Sequence, residues 1–197
     1  ILLLLRMKRI ILASGSPRRK MLLEWAEINF EVMVSDADES FDPGEAPEQV
    51  AMQIASKKNQ AIADKISQQL DQCILIAADT IVVLDGTIIG KPENKEHAIH
   101  ILKQLSGKTH EVITAVEIRS SDKIEKFYDK TYVSFYALED HQIEHYVDHY
   151  KPFDKAGAYA IQEWIGVTGI QHINGDFYNV MGLPVSRVIQ TLKQSFS

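Results

Sequence analysis

The stretch Arg9–Arg19 reads RIILASGSPRR, and its reading decides the fold class. Arg9–Ala13 is a short apolar run, a buried strand by composition. Ser14-Gly15-Ser16 is a tight polar turn. Ser16 then stands where a helix N-cap belongs, with Pro17 at the first helical position, where a missing N–H costs nothing. The pattern predicts a helix to about Ala26 with Met21, Leu22 and Trp25 inward. Further along, Pro47 opens a second helix to about Leu70, with Val50, Ile54, Ala61 and Ile62 as its buried stripe. An apolar strand follows at Cys73–Ala78 and continues through Ile81–Leu84. Strands alternating with helices argue for an α/β protein.

The remaining elements fit a mixed sheet. Phe30–Val34 reads as a strand and Ser35–Pro47 as an acidic loop. Asp85-Gly86 is a hairpin signal that returns through Thr87–Ile89. Asn94 caps a helix to Leu105, closed by Gly107. His110–Ser120 and Glu125–Ala137 read as two long antiparallel strands, and Glu139–Tyr150 as a helix. Its inward face is Ile143, Tyr146, Val147 and Tyr150, so His141, His145 and His149 point to solvent and make no native metal site. Then come a loop leading into a short strand (KPFDKAGAYAIQE), an irregular or strand-like Ile165–Ile173, a turn at Asn174-Gly175, and a helix from Leu183-Pro184 to about Lys193.

Composition narrows the class of function. The chain has 197 residues, 21 Lys+Arg, 27 Asp+Glu and a net charge of −6. That acidic balance speaks against nucleic acid as a partner. No stretch approaches the ~20 apolar residues of a membrane-spanning helix. The only cysteine, Cys73, lies in an apolar segment and reads as core. The expectation is one domain over residues 1–197, cytoplasmic, with Met7 as the natural start and residues 1–6 a non-native extension.

Two places could carry chemistry. At SGSPRR, a helix N-terminus supplies unpaired N–H groups, Ser14 and Ser16 supply hydroxyls, and Arg18 and Arg19 supply forked donors suited to phosphate. Capping alone explains the serine and the proline but not the paired arginines. At the end of CILIAA, Asp79 sits where open α/β sheets place ligands, and it could bind a divalent cation, act as general base or simply close a turn. Lys58, Lys91 and Lys155 are either solvated charges or ligands. The acidic loop could lend one carboxylate to a metal. Gly86-x-x-x-Gly90-Lys91-Pro92 is not a phosphate-binding P-loop, because it is one residue short and has proline where Ser or Thr must hold the metal.

Taken together, ILASGSPRRKMLLE, the Asp-Glu of SDADES, AADTIVV, GKP, LSGKTHEVITAV, DKAGAYAIQ and NVMGLP occur in the order found in the Maf family, which the chain resembles over about residues 8–193. The resemblance implies a mixed, elongated sheet with flanking helices in two lobes around a cleft, like the inosine-triphosphate pyrophosphatases. It implies hydrolysis of a nucleoside triphosphate to monophosphate and pyrophosphate with Mg²⁺ or Mn²⁺, in a homodimer. Relatives preferring dTTP and UTP carry Arg, Thr and Gln at three positions that here are Arg18, Thr80 and Gln162. Relatives preferring 7-methyl-GTP carry Trp, Gln and Glu there.

The roles implied are phosphate binding by Ser14, Ser16, Arg18, Arg19, Lys58, Lys91 and Lys155, activation of water by Asp79, metal binding by Glu39 with Asp79, and base reading by Thr80 and Gln162. One departure stands out: Glu163 occupies a position where the pattern has Gly. The other readings are the same reaction on 7-methyl-GTP or a modified nucleotide, and a cell-division regulator that binds nucleotide without turning it over.

Overall fold

The computed structural model describes residues 8–42 and 44–196. The expectation for residues 1–7 lies outside them. Strand β1 (Arg9–Leu12) runs into helix α1 (Pro17–Trp25), with Ser16 at the N-cap and Pro17 at the first position. Leu22 and Leu23 are buried, Met21 is half-buried and Trp25 is exposed. The expectation of an inward Trp25 fails because Arg19, one turn after the loop, takes an inward position instead. Strand β2 (Glu31–Val32) is only two residues long. Helix α2 (Pro47–Lys65) ends before the expected Leu70, and a 3₁₀ segment, Ser67–Gln72, fills the remainder.

Strand β3 (Cys73–Leu84) is continuous across Asp79-Thr80 and almost wholly buried, as expected of a strand covered on both faces. The Asp85-Gly86 turn, with both residues at positive φ, returns the chain into β4 (Thr87–Ile89). Helix α3 (Lys95–Leu105) starts at Asn94, whose side chain accepts the His97 N–H at 2.8 Å. Strands β5 (Thr109–Arg119) and β6 (Ile124–Phe135) follow, then α4 (Asp140–Tyr150). On α4, Ile143, Tyr146 and Val147 are buried and the three histidines exposed, but Tyr150 at the helix end is exposed too.

The segment after α4 differs from expectation. No strand forms at AYAIQ; a 3₁₀ turn at Ala156–Ala158 leads to helix α5 (Trp164–Gly169) and then strand β7 (Ile170–Asn174). Two glycines hide the helix from sequence reading. They lower its intrinsic propensity, but Gly166 lies so close to the Ile161 carbonyl that no side chain fits there. Short α6 (Phe177–Met181) and then α7 (Val185–Ser195) complete the chain.

The sheet among the described residues has seven strands in the order β2-β1-β3-β5-β6-β7, with β4 pairing β3. It is mixed: β1 is parallel to β2 and β3, while β3–β4 and β6–β7 are antiparallel. By internal contacts the chain divides into two compact units. The first comprises residues up to Asp79, Thr114–Asp129 and Gly182 onward; the second comprises Thr80–Ile113 and Lys130–Met181. In the first, Cys73, Leu75 and Ala77 of β3 pack with Ile11, Ala13, Ile62 and Ala63. In the second, α3 and α4 pack on one another, and His110, Phe135 and Tyr159 form a ring cluster.

Candidate active site

Two periodicities create the first unit's polar centre. Alternation along β3 puts Cys73, Leu75, Ala77 and Asp79 on the same face, toward α2. Lys58 lies one helical turn before Ile62, which packs on that face. The apolar stripe and the strand therefore end in an ion pair. Lys58 Nζ lies 2.7 Å from Asp79 Oδ1 and 2.9 Å from Glu39 Oε1. Lys58 and Asp79 side chains are each 12% exposed, so water screens this pair little, whereas Glu39 is half-exposed.

The acidic loop is tied to α2 beside this pair, since Lys57 Nζ donates to the Ser40 carbonyl at 2.9 Å. Asp36 pairs with Lys65, and Asp38 is held by the Ser40 hydroxyl and N–H, the hydroxyl contact keeping its carboxyl below the usual range. Glu39 is the loop carboxylate that reaches Lys58.

The SGSPRR turn is pinned from inside. Buried Arg19 donates from Nε to the Gly182 carbonyl at 2.8 Å and from its Nη1 to Ser14 Oγ at 3.1 Å. Ser14 Oγ also accepts the Ser16 N–H at 3.2 Å. Both acceptor positions of that hydroxyl are thus used, and what it has left is its proton, a donor for an anion. Burial pushes the Arg19 guanidinium below its ordinary value; Asp79 pulls it back up, Arg18 opposes and Glu39 supports. Arg18 is half-buried and Ser16 offers its position at the helix start without a side-chain cap bond. The group brings the cations Arg18, Arg19 and Lys58 together with the carboxylates Asp79 and Glu39.

The remaining expected residues belong to the second unit. Thr80 follows Asp79 on β3 and is half-buried. Lys91 is exposed in the loop after β4. Lys155 is buried, with Nζ 2.8 Å from Asp154 Oδ1 and 3.6 Å from Glu163 Oε1. Gly157 (φ +71°) donates its N–H to the Gly90 carbonyl at 3.2 Å, which brings the Lys155 and Lys91 loops side by side. Gln162 has a buried Oε1 with no hydrogen-bond partner among the described residues. A buried amide oxygen is costly to leave unpaired, and an N–H of a bound base would satisfy it.

The structure thus gathers Ser14, Arg19 and Gly182 into one set, and Glu39, Lys58 and Asp79 into another, within the same unit. It gathers Lys155, Glu163 and Tyr146 in the other unit. The Gly182 carbonyl and the Tyr146 hydroxyl escaped sequence reading. A backbone acceptor has no residue signature, and Tyr146 looks like part of an ordinary apolar face.

The Maf-like protein family matches residues 9–195 of this chain. The chain belongs to the Maf-like protein family. Relatives named dTTP/UTP pyrophosphatase match this Maf-like chain over 188 residues, 95% of its length: from Bacillus mycoides at 46% identity over 96% of the relative, from Bacillus anthracis at 47% over 96%, and from Bacillus cereus at 46% over 90%. The Staphylococcus aureus Ham1 protein superposes with a TM-score of 0.46 at 15% identity, covering 65% of this chain and 72% of that one. No helix among the described residues is long and apolar enough to cross a membrane.

Among the described residues no three or more His, Cys, Asp and Glu cluster as a metal site. The residues at Asp79 nevertheless fit Mg²⁺ or Mn²⁺. Such ions take hard oxygen donors and are commonly held by one or two carboxylates together with substrate phosphates and water. Glu39 and Asp79 already share a single cation, the Lys58 ammonium.

Proposed function

We propose that the chain is a nucleoside triphosphate pyrophosphatase acting on dTTP and UTP. The observation that carries this reading is the identity of 46–47% along nearly the whole chain to relatives named for that activity. It is supported by a buried carboxylate set among three cations at a helix start. The reading places the reaction in the cytoplasm, where nucleoside triphosphates are held.

The chemistry falls to the first unit's group. Asp79 accepts a proton from water as its oxygen attacks the α-phosphorus. The bond from that phosphorus to the bridging oxygen of the β-phosphate breaks, and pyrophosphate leaves with the electron pair. Lys58, between Asp79 and Glu39, holds the carboxylate in place and neutralises charge on the leaving group. Ser14 donates its hydroxyl proton to a phosphate oxygen, Arg18 adds charge, and Arg19 keeps the turn in shape from beneath. Glu39 and Asp79 would hold the divalent cation, whose chemistry is to withdraw charge from the phosphates. In the resemblance to the Maf family, Lys91 and Lys155 of the second unit stand for phosphate binding and Thr80 and Gln162 for base reading.

The test is pyrophosphate release by purified protein from dTTP, UTP, CTP, ATP, GTP and 7-methyl-GTP, with Mg²⁺, with Mn²⁺ and with chelator. Release from dTTP and UTP that chelator stops is the expected result. Preference for 7-methyl-GTP would overturn the substrate assignment. No release from any nucleotide by folded protein would overturn the enzyme and favour a nucleotide-binding regulator.

A further inference from the structure

We propose that Glu163 is a positioning residue that locks the Lys155–Gln162 segment into a form ready for phosphate, using the Tyr146 hydroxyl as its anchor. The phosphate-binding role of Lys155 rests on the function proposed above; the lock itself rests on geometry. Tyr146 is fully buried on α4, a rigid element, and its ring stacks on Tyr150 at 5.0 Å. Its hydroxyl donates to Glu163 Oε2 and accepts the Ala160 N–H at 3.1 Å. The other carboxylate oxygen, Oε1, faces Lys155 Nζ at 3.6 Å. One phenol thus fixes both the middle and the end of the segment, and one carboxylate links that phenol to the lysine.

The need for such a lock is physical. Lys155 is 8% exposed, and a buried ammonium must be paired. Asp154 contacts it at 2.8 Å, but that carboxylate is more than half exposed and lies on the adjacent residue, so it restrains the ammonium weakly. Glu163 is less exposed (23%), stands at the N-cap of α5 and is hydrogen-bonded to a buried group. Gln162, with its unpaired buried Oε1, is one peptide bond from Glu163. Glycine at position 163, as in the pattern the sequence resembles, could make neither contact, so the device belongs to this chain.

Charge and positioning predict opposite signs. If Glu163 were only a negative charge near an anion site, removing it would tighten anion binding. If it positions Lys155, removing it weakens binding. The probe is inorganic tripolyphosphate, titrated calorimetrically into the full chain with Mg²⁺ present, alongside UTP kinetics.

Glu163→Ala and Tyr146→Phe should each weaken tripolyphosphate binding about tenfold, the scale of one buried charge-assisted hydrogen bond. The double variant should be no weaker than either single one, because both break the same link. Glu163→Gln keeps an acceptor for the tyrosine but turns an amide NH2 toward the Lys155 ammonium, so it should keep the thermal midpoint while binding tripolyphosphate as weakly as Glu163→Ala. KM for UTP should rise in step while kcat falls by less. Affinity unchanged or increased in Glu163→Ala, affinity unchanged in Tyr146→Phe, or a parent chain that does not bind tripolyphosphate would each overturn the inference. The expected binding pattern in a chain that releases no pyrophosphate would overturn the proposed function and leave the lock standing.

Discussion

Asp79 shows how one residue's setting decides its use. A strand-ending aspartate is usually a turn cap, but here β3 runs on without a turn and the carboxylate stays buried against Lys58. Asp79→Asn keeps the size and one acceptor oxygen, and Lys58 retains Glu39. Turnover should therefore fall by about 10³-fold, the scale of a lost general base, with an unchanged circular dichroism spectrum. Turnover within tenfold of the parent would remove Asp79 from the proton-transfer role. Lys58→Met leaves two neighbouring carboxylates without their shared cation. Its melting temperature should drop and its pyrophosphate release should fall at least tenfold; wild-type values for both would show that the pair is idle. Arg19, which the sequence reading set beside Arg18 as a phosphate ligand, also has a structural use. Its Nε donates to the Gly182 carbonyl and one terminal nitrogen to Ser14, and these bonds shape the turn.

At the scale of elements, periodicity and caps were readable wherever a local rule sufficed. The Ser16–Pro17 helix start, the Asn94 cap and the Asp85-Gly86 hairpin all form as their residues dictate. Helix α5 was not readable, because its propensity is poor and tertiary packing holds it. The loop before it depends on Gly157, which adopts φ +71° and lies against Val82 so closely that a Cβ would come within 2.9 Å of Cγ2. Gly157→Ala combines left-handed strain with overpacking and should cost about 2–3 kcal/mol, read as a lower urea midpoint. An unshifted midpoint would mean that the loop contributes nothing to stability.

For the whole molecule, the buried His110 makes stability depend on pH. Its Nε2 shares a 2.7 Å hydrogen bond with the Tyr159 hydroxyl, and burial lowers its pKa to about 4 while pushing that of Tyr159 up. The pair is therefore neutral in the folded protein. In the unfolded chain His110 titrates near its ordinary ~6.5, so the unfolded state binds the extra proton first. The contribution is complete above that pH and is lost as pH falls toward about 4. Between pH 7 and 4.5 this amounts to about 2–3 kcal/mol. Urea denaturation should show the loss in the parent and a flatter profile in His110→Gln; equal slopes would place the acid sensitivity elsewhere. The sequence alone determined the α/β class and the family, because strand alternation, helix capping and motif order are local properties of the chain. Only the tertiary structure decided that Arg19 turns inward to Gly182, that Lys58 bridges Asp79 and Glu39, and that Glu163 reaches Tyr146 and Lys155. Those outcomes depend on which burial and which counter-charge each side chain meets, and its partners lie at distances along the chain that no local pattern spans.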